Sequence, residues 1–576
     1  MIQWKYDALS SKLSGRHPHP SELCKLWYRH YKIHPYVPRT SRIPTRIVIG
    51  LSVWQECRCH EMTIIIAPLL LVSALVVALA WRKKSHVLYP PGPPPKPIIG
   101  NALDIPSERP WVKYLEWSKQ LDSDIIHLSA MGTHIIILHK MEDVAALMEK
   151  RSAIYSSRPW MPIVELLGTG NNTAIIPYGK EWRKQRAMYH ESLRKETMPF
   201  YHRMFTEKVH LFADLLLRSP DQFRHHCKWL SSAIALSAAF GYEVAVGDMN
   251  DHYVALAERV MAAASELTHP GGTLINAIPI LRFIPTWVPG ASTQRRAAEV
   301  KEMFWTFRDR SFELVMRNLL AGTAKESTLT RLLERRLKDK NTMVEDEEEL
   351  KDAISGVYFA STETIQATQL VFIMAMAMHP AAQRRAQAEI YRVVGVDRLP
   401  TYDDRPSLSY IDALLRETLR LMPVVPLAVP HVTSKDDVYK GFFIPKGTLV
   451  LPNLWAISRD ETMYENPGVF NPDRFLNPDG TLNEDRTDVA YGYGRRICPG
   501  RFMANDVLWM MMATVLSTYN ISKAKDENGI EIDINPEFSS GLTSFPCPFK
   551  CSIVPRSSEA QELVRFAAMN AEESMK

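Results

Sequence analysis

The stretch YGYGRRICPG, residues 491–500, sets one cysteine among three glycines, two arginines and a proline. A core cysteine needs only apolar neighbours, so packing alone leaves the glycines and arginines unexplained. A metal-binding thiolate explains both. Gly492, Gly494 and Gly500 would let the backbone pass close to a flat ligand, while Arg495 and Arg496 bring positive charge to the thiolate and to anionic groups on that ligand. Cys498 is therefore the first candidate metal ligand, and what it serves depends on the rest of the chain.

Upstream, residues 409–422, SYIDALLRETLRLM, place Ile411, Leu414, Leu415, Leu419 and Met422 on one stripe at helical spacing, and Pro423 stops the helix. Glu417 and Arg420 are then neighbours one turn apart. Alone, such a pair reads as an ordinary surface ion pair. Residues 470–475, FNPDRF, lie in a Pro/Asn-rich irregular stretch and supply Arg474, placed to complete an Arg/Glu/Arg cluster. Further upstream, GKEWRKQR (179–186) carries Trp182 and Arg186, YFASTET (358–364) ends in the acid Glu363 and the alcohol Thr364, and VPH ends at His431.

An ExxR helix, an irregular segment with a fixed arginine and FxxGxRxCxG near the C-terminus, in that order, resemble the cytochrome P450 family. Here the last motif is Tyr491, Gly494, Arg496, Cys498 and Gly500. Tyr491 stands where the family has phenylalanine, which keeps the ring and adds a hydroxyl that must find a partner. The resemblance implies a mainly α fold with small β-sheets, built around haem b. It implies Cys498 as the axial thiolate on iron, Trp182, Arg186, His431 and Arg496 as donors to the haem propionates, and Glu363 and Thr364 as the acid and alcohol that deliver protons for oxygen activation. A thiolate pushes electron density onto the iron and favours O–O cleavage. Electrons would come from NADPH through cytochrome P450 reductase, since no GxGxxG follows a strand to bind a dinucleotide.

Two positions depart from the family pattern. Ser361 replaces a glycine that loosens the oxygen-binding helix, and Ile365 replaces a common second threonine. The Ser361 hydroxyl either fills its own hydrogen bond to the preceding turn and keeps a bend, or narrows the oxygen groove.

The segments that the family folds over its haem are here RPWMPIVELL (from 158), INAIPILRFIPTW (from 275), VVPLAV (from 424) and GLTSF (from 541). Aromatic and aliphatic walls with few charges fit a lipophilic small molecule. Residues 429–460 are most similar to fungal secondary-metabolism members, so a terpenoid is the expected substrate, with a polyketide or indole-type aromatic as the alternative. A haem-thiolate isomerase or peroxygenase would share Cys498 but needs neither the Glu363/Thr364 pair nor a reductase, and retention of the pair favours the monooxygenase.

The chain of 576 residues is 46% hydrophobic and 23% charged, a globular composition. Its net charge of +5 comes from residues 1–61, with ten Lys/Arg against four Asp/Glu; the near-neutral remainder gives nucleic-acid binding no electrostatic support. The seven cysteines are scattered, which argues for a reducing compartment, and Cys57, Cys59 and His60 form an incomplete ligand set. Residues 62–81, MTIIIAPLLLVSALVVALAW, carry no charge and reach about 30 Å as a helix, one bilayer crossing. Arg82, Lys83 and Lys84 keep the C-terminal side cytosolic. The basic segment 1–61 conflicts with that orientation, so translation is expected to start at Met62 and 1–61 to be a gene-model extension, with an unstructured leader as the alternative. The expected order is extension 1–61, anchor 62–81, basic Pro-rich linker 82–97, catalytic domain 98–555 and tail 556–576, on the endoplasmic reticulum membrane as a single-pass protein.

Overall fold

The structure is a computed structural model that describes residues 88–575 apart from 269–271, 339–346 and 486. The expected extension and the span 62–81 lie outside these residues. Among the described residues no single helix is long and apolar enough to cross a membrane.

Helices dominate, and the longest, Glu347–Met378, runs through the core. Three glutamates in its first turn, Glu347 to Glu349, complement the positive helix N-terminus. From Ala367 to Ala377 it is buried on every face, which its apolar sequence permits. It packs on helices Phe223–Phe240, Ser409–Leu421 and Arg501–Thr518, and these share one large apolar core. Helix Ser409–Leu421 buries the expected stripe, Ile411, Leu414, Leu415 and Leu419. Met422 then turns extended, as the residue before a proline must.

The strands are few and short: β1 (Ile125–Ala130), β2 (Thr133–Leu138), β3 (His431–Val432), β4 (Asp437–Tyr439), β5 (Phe442–Ile444), β6 (Leu449–Pro452), β7 (Tyr519–Lys523) and β8 (Cys551–Pro555). They form a four-stranded sheet in the order β1-β2-β6-β3 and two separate hairpins. The parallel pairing of β2 with β6 brings β3, and with it His431, beside the segment around Tyr155.

Two terminal stretches are more tightly bound than their composition announces. The described part of the proline-rich linker lies on the sheet edge, with the Leu88 and Pro91 carbonyls accepting from the Phe443 and His127 amides at 2.8 and 2.9 Å. Tyr89 stacks on both His127 and His134. Beyond the second hairpin, Ser558–Met575 forms a helix that packs on Pro199–Arg218 through Ala560, Val564, Ala568 and Ala571.

Candidate active site

The loop 491–500 is closed by its own backbone: the Cys498 amide donates to the Tyr491 carbonyl at 2.8 Å. Gly494 has φ +56, and a Cβ there would lie 2.1 Å from the Met148 carbonyl oxygen. The close approach that requires this glycine is therefore to the protein's own chain. A Cβ on Gly500 would make only an ordinary contact with the Cys498 sulfur at 3.9 Å.

Cys498 sits immediately before helix Arg501–Thr518. Burial pushes its thiol up, and hydrogen bonds from the Gly500 and Arg501 amides together with the Arg186 and Arg501 guanidiniums oppose that. With no cation on the sulfur, burial wins. A bound metal cation reverses the balance, because a coordinating thiol is deprotonated outright.

Arg186 and Trp182 come from helix Lys180–Leu193. Arg186 faces Cys498, and its own guanidinium is pulled down by burial. Arg496 stacks over the Trp182 ring at 4.7 Å and donates to the Ser156, Thr173 and Ile176 carbonyls at 2.8 to 2.9 Å. Burial, with repulsion from Arg186, lowers Arg496 to about 10. His431 joins the same group: its Nδ1 meets the Tyr155 carbonyl at 2.7 Å, and burial, then Arg158, hold it near 3, so the ring is neutral. The structure thus gathers Cys498, Arg186, Arg496, Trp182 and His431 into one cluster.

It adds a member that the motifs do not mark. Arg158, in a stretch read from sequence as apolar wall, is buried and donates to the Ala174, Val429 and Pro430 carbonyls. Burial, with repulsion from Arg496, lowers it to about 9. Its only sequence signal is a charge inside an apolar run. Among the described residues Arg158, Arg186 and Arg496 have no carboxylate acting on them. Three guanidiniums drawn together without counter-charge are costly unless an anionic group shares the site.

Glu363 and Thr364 stand in a second group on the central helix. Burial raises the Glu363 carboxyl, against a hydrogen bond from Thr543 in the GLTSF segment and the charge of Lys228. The Thr364 hydroxyl donates to the Ala360 carbonyl at 2.8 Å. Ser361 donates to the Val357 carbonyl at 2.7 Å, so its hydroxyl fills the preceding turn, and the helix stays unbroken through this region. Phe359 of the same helix packs against the apolar cluster that joins Ile163, Val164 and Leu167 to Ile275. Ser544 ties the 541–545 segment to the Val424 carbonyl at 2.8 Å. Of the four apolar segments, the one around Thr543 thus reaches Glu363 and is tied to the one at Val424, and the other two pack against Phe359, one turn before the acid.

The Arg/Glu/Arg cluster is formed and buried. Arg420 makes a bidentate pair with Glu417 at 2.6 and 2.8 Å with both side chains fully inaccessible, and Arg474 Nε lies 3.2 Å from Glu417 Oε2. The Asn471 amide also donates to Glu417 at 2.7 Å, which fixes the irregular segment that leads towards the cysteine loop.

A mainly helical core with a buried thiol just before one helix and cations without carboxylate partners around it is the class that this arrangement defines, a protein built to hold a metal-bearing anionic group. A family model described as Cytochrome P450 matches residues 90–549. Cytochrome P450 monooxygenase 98 of Postia placenta is 38% identical over 499 residues, covering 85% of this chain and 95% of its own. Cytochrome P450 monooxygenase ple1 of Rhodocybe pseudopiperita is 38% identical over 506 residues, covering 86% and 96%. Tryptamine 4-monooxygenase of Psilocybe cyanescens is 33% identical over 505 residues, covering 86% and 99%. The chain belongs to the cytochrome P450 family, and it is a haem-using monooxygenase, an oxidoreductase whose family holds haem through a cysteine thiolate. The donor set of this structure fits that group: one thiol receiving two backbone N–H groups, beside three guanidiniums that lack the anions a haem's two propionates bring.

Proposed function

We propose that the protein hydroxylates a lipophilic terpenoid in fungal secondary metabolism, drawing electrons from NADPH through cytochrome P450 reductase on the endoplasmic reticulum membrane. The observation that carries this reading is the juxtaposition of Cys498 with the unpaired cations Arg186, Arg496 and Arg158. Cys498 would hold the iron, and Arg158, Arg186, Arg496, Trp182 and His431 the propionates. Haem, when bound, supplies the activation of dioxygen that inserts one oxygen atom into a C–H bond and releases the other as water, using two electrons and two protons.

The remaining work falls to side chains. Glu363, raised by burial, exchanges protons more readily near neutrality than an exposed carboxylate does, and the Thr543 hydroxyl donates to it. Thr364 Oγ1, one residue on, would pass a proton from the Glu363 carboxyl towards the reacting oxygen. The apolar cluster of Ile163, Val164, Leu167, Ile275 and Phe359 would exclude water and orient an apolar substrate. Leu274, Ile280, Phe283 and Trp287 are 67 to 80% exposed, and such apolar side chains suit contact with a lipid surface. An indole-type aromatic is the second reading, favoured by the similarity to the tryptamine 4-monooxygenase.

Co-expression with a reductase in yeast microsomes tests the proposal. NADPH-dependent product from a panel of sesquiterpenes, in the membrane fraction, is the expected result. Product only from indoles would select the second reading, and product with peroxide but never with NADPH would reject the reductase-driven mechanism.

A further inference from the structure

The Tyr491 hydroxyl, which the family's phenylalanine lacks, has found a partner: it donates to Asn505 Oδ1 at 3.0 Å. Asn505 lies in the second turn of helix Arg501–Thr518, whose first residue, with Gly500, supplies the amide N–H groups on the Cys498 sulfur. The same tyrosine accepts from the Cys498 amide at 2.8 Å through its carbonyl. One residue therefore holds the backbone of Cys498 with its main chain and the helix that presents N–H groups to the sulfur with its side chain. Between these two points the loop turns through Gly492 and Gly494, both at positive φ; Gly494 packs on the Met148 carbonyl and Arg496 holds three carbonyls, while the Tyr491 hydroxyl ties the loop directly to the helix that follows the cysteine. The Arg501 guanidinium, donating to the Cys498 carbonyl at 3.0 Å, ties only the exit limb.

We propose that Tyr491 is a positioning residue for Cys498: its hydrogen bond to Asn505 locks the cysteine loop onto the start of helix Arg501–Thr518 and keeps the Gly500 and Arg501 amides aimed at the sulfur. This rests on the reading of Cys498 as the haem ligand. Hydrogen bonds to a charged form stabilise it, and those to a ligating sulfur also set the potential of the metal. Without the tie the two N–H bonds loosen. The sulfur then carries more charge, lowers the reduction potential and takes up a proton more readily.

The test uses the full-length holoprotein with Tyr491→Phe, Asn505→Ala and the double substitution. Haem content is measured first, followed by the reduction potential and the rate at which the reduced carbon monoxide complex loses its thiolate band for the thiol band. Tyr491→Phe keeps the ring that packs against the core, so it should load haem. Each single substitution should shift the potential negative and speed the band loss about fivefold, the equivalent of one neutral hydrogen bond. The double substitution should do no more than either single one, because both remove the same bond. Unchanged potential and band loss in both singles, or effects that add in the double, overturn the proposal. A lower melting temperature with neither readout moved does so too, because it assigns Tyr491 a purely structural role. A parent protein with no thiolate band at all would instead refute the ligand assignment beneath it.

Discussion

Replacing Glu417 by alanine removes the centre of a charged cluster in which Glu417 and Arg420 have no access to water. In the native protein the Glu417 carboxylate takes two hydrogen bonds from Arg420, one from the Asn471 amide and the charge of Arg474. After the substitution Arg420 Nη1 keeps the Ser458 and Pro467 carbonyls at 2.7 and 2.9 Å, Nη2 keeps only Val469 at 3.5 Å, and Nε is stranded. Arg474 retains carbonyl partners at 3.0 and 3.1 Å and loses its counter-charge. Breaking a buried pair by removing one partner costs about 3–5 kcal/mol. That is a large part of a net stability of about 5–15 kcal/mol, and at about 1.4 kcal/mol per tenfold it raises the unfolded fraction by roughly two to three and a half orders of magnitude. The assay is haem per protein together with a urea unfolding midpoint. Glu417→Ala should yield little haem-loaded protein, and Glu417→Gln, which keeps an acceptor, should fall between it and the parent. Normal haem content with a midpoint equivalent to less than about 0.5 kcal/mol of change would refute the burial argument.

Thr364→Ala should still bind haem and accept electrons but release peroxide at the expense of product, whereas Ser361→Ala should stay coupled; both hydroxyls donate to the preceding turn, so the pair of variants tells which one serves oxygen, with NADPH, peroxide and product measured together. Glu363→Gln should slow turnover with less peroxide release than Thr364→Ala, read in the same assay. Gly494→Ala forces a Cβ to within 2.1 Å of the Met148 carbonyl at a positive φ, so haem content should drop sharply, and full loading would show that the loop can move away. Burial, with repulsion from His134, lowers His127 to about 4, below its unfolded value near 6.5. The folded state thus binds this proton less tightly, so its stability is full above about pH 6.5 and falls as the pH drops towards 4. The melting temperature should fall between pH 7 and pH 5, and by less in His127→Gln.

Much of the site is legible in the sequence because its chemistry fixes residue types at fixed spacing. The Ser409–Leu421 helix is readable from its stripe and from Pro423, and the cysteine loop from its glycines and arginines. What the sequence conceals is set by chain crossings. Arg158 belongs to the cation cluster because the segment beyond Tyr155 meets Val429 and Pro430, 271 and 272 residues away, and no local pattern encodes that meeting. Gly494 illustrates a residue whose importance is legible and whose reason is not, since its tight neighbour is Met148. The C-terminal helix buries mainly alanines, Ala560, Ala568 and Ala571 around Val564, and so small an apolar signal reads as a tail. The docking of the described part of the linker depends on Tyr89 meeting two histidines from adjacent strands.

The central claim is that Cys498 holds a haem iron among cations that await its propionates. The most direct measurement is the carbon monoxide difference spectrum of the reduced full-length protein, recorded for the parent, Cys498→Ala and Arg496→Ala. The account predicts a thiolate-type band in the parent, its complete loss in Cys498→Ala, and reduced haem content with the band position kept in Arg496→Ala. A thiolate band that survives in Cys498→Ala would contradict it.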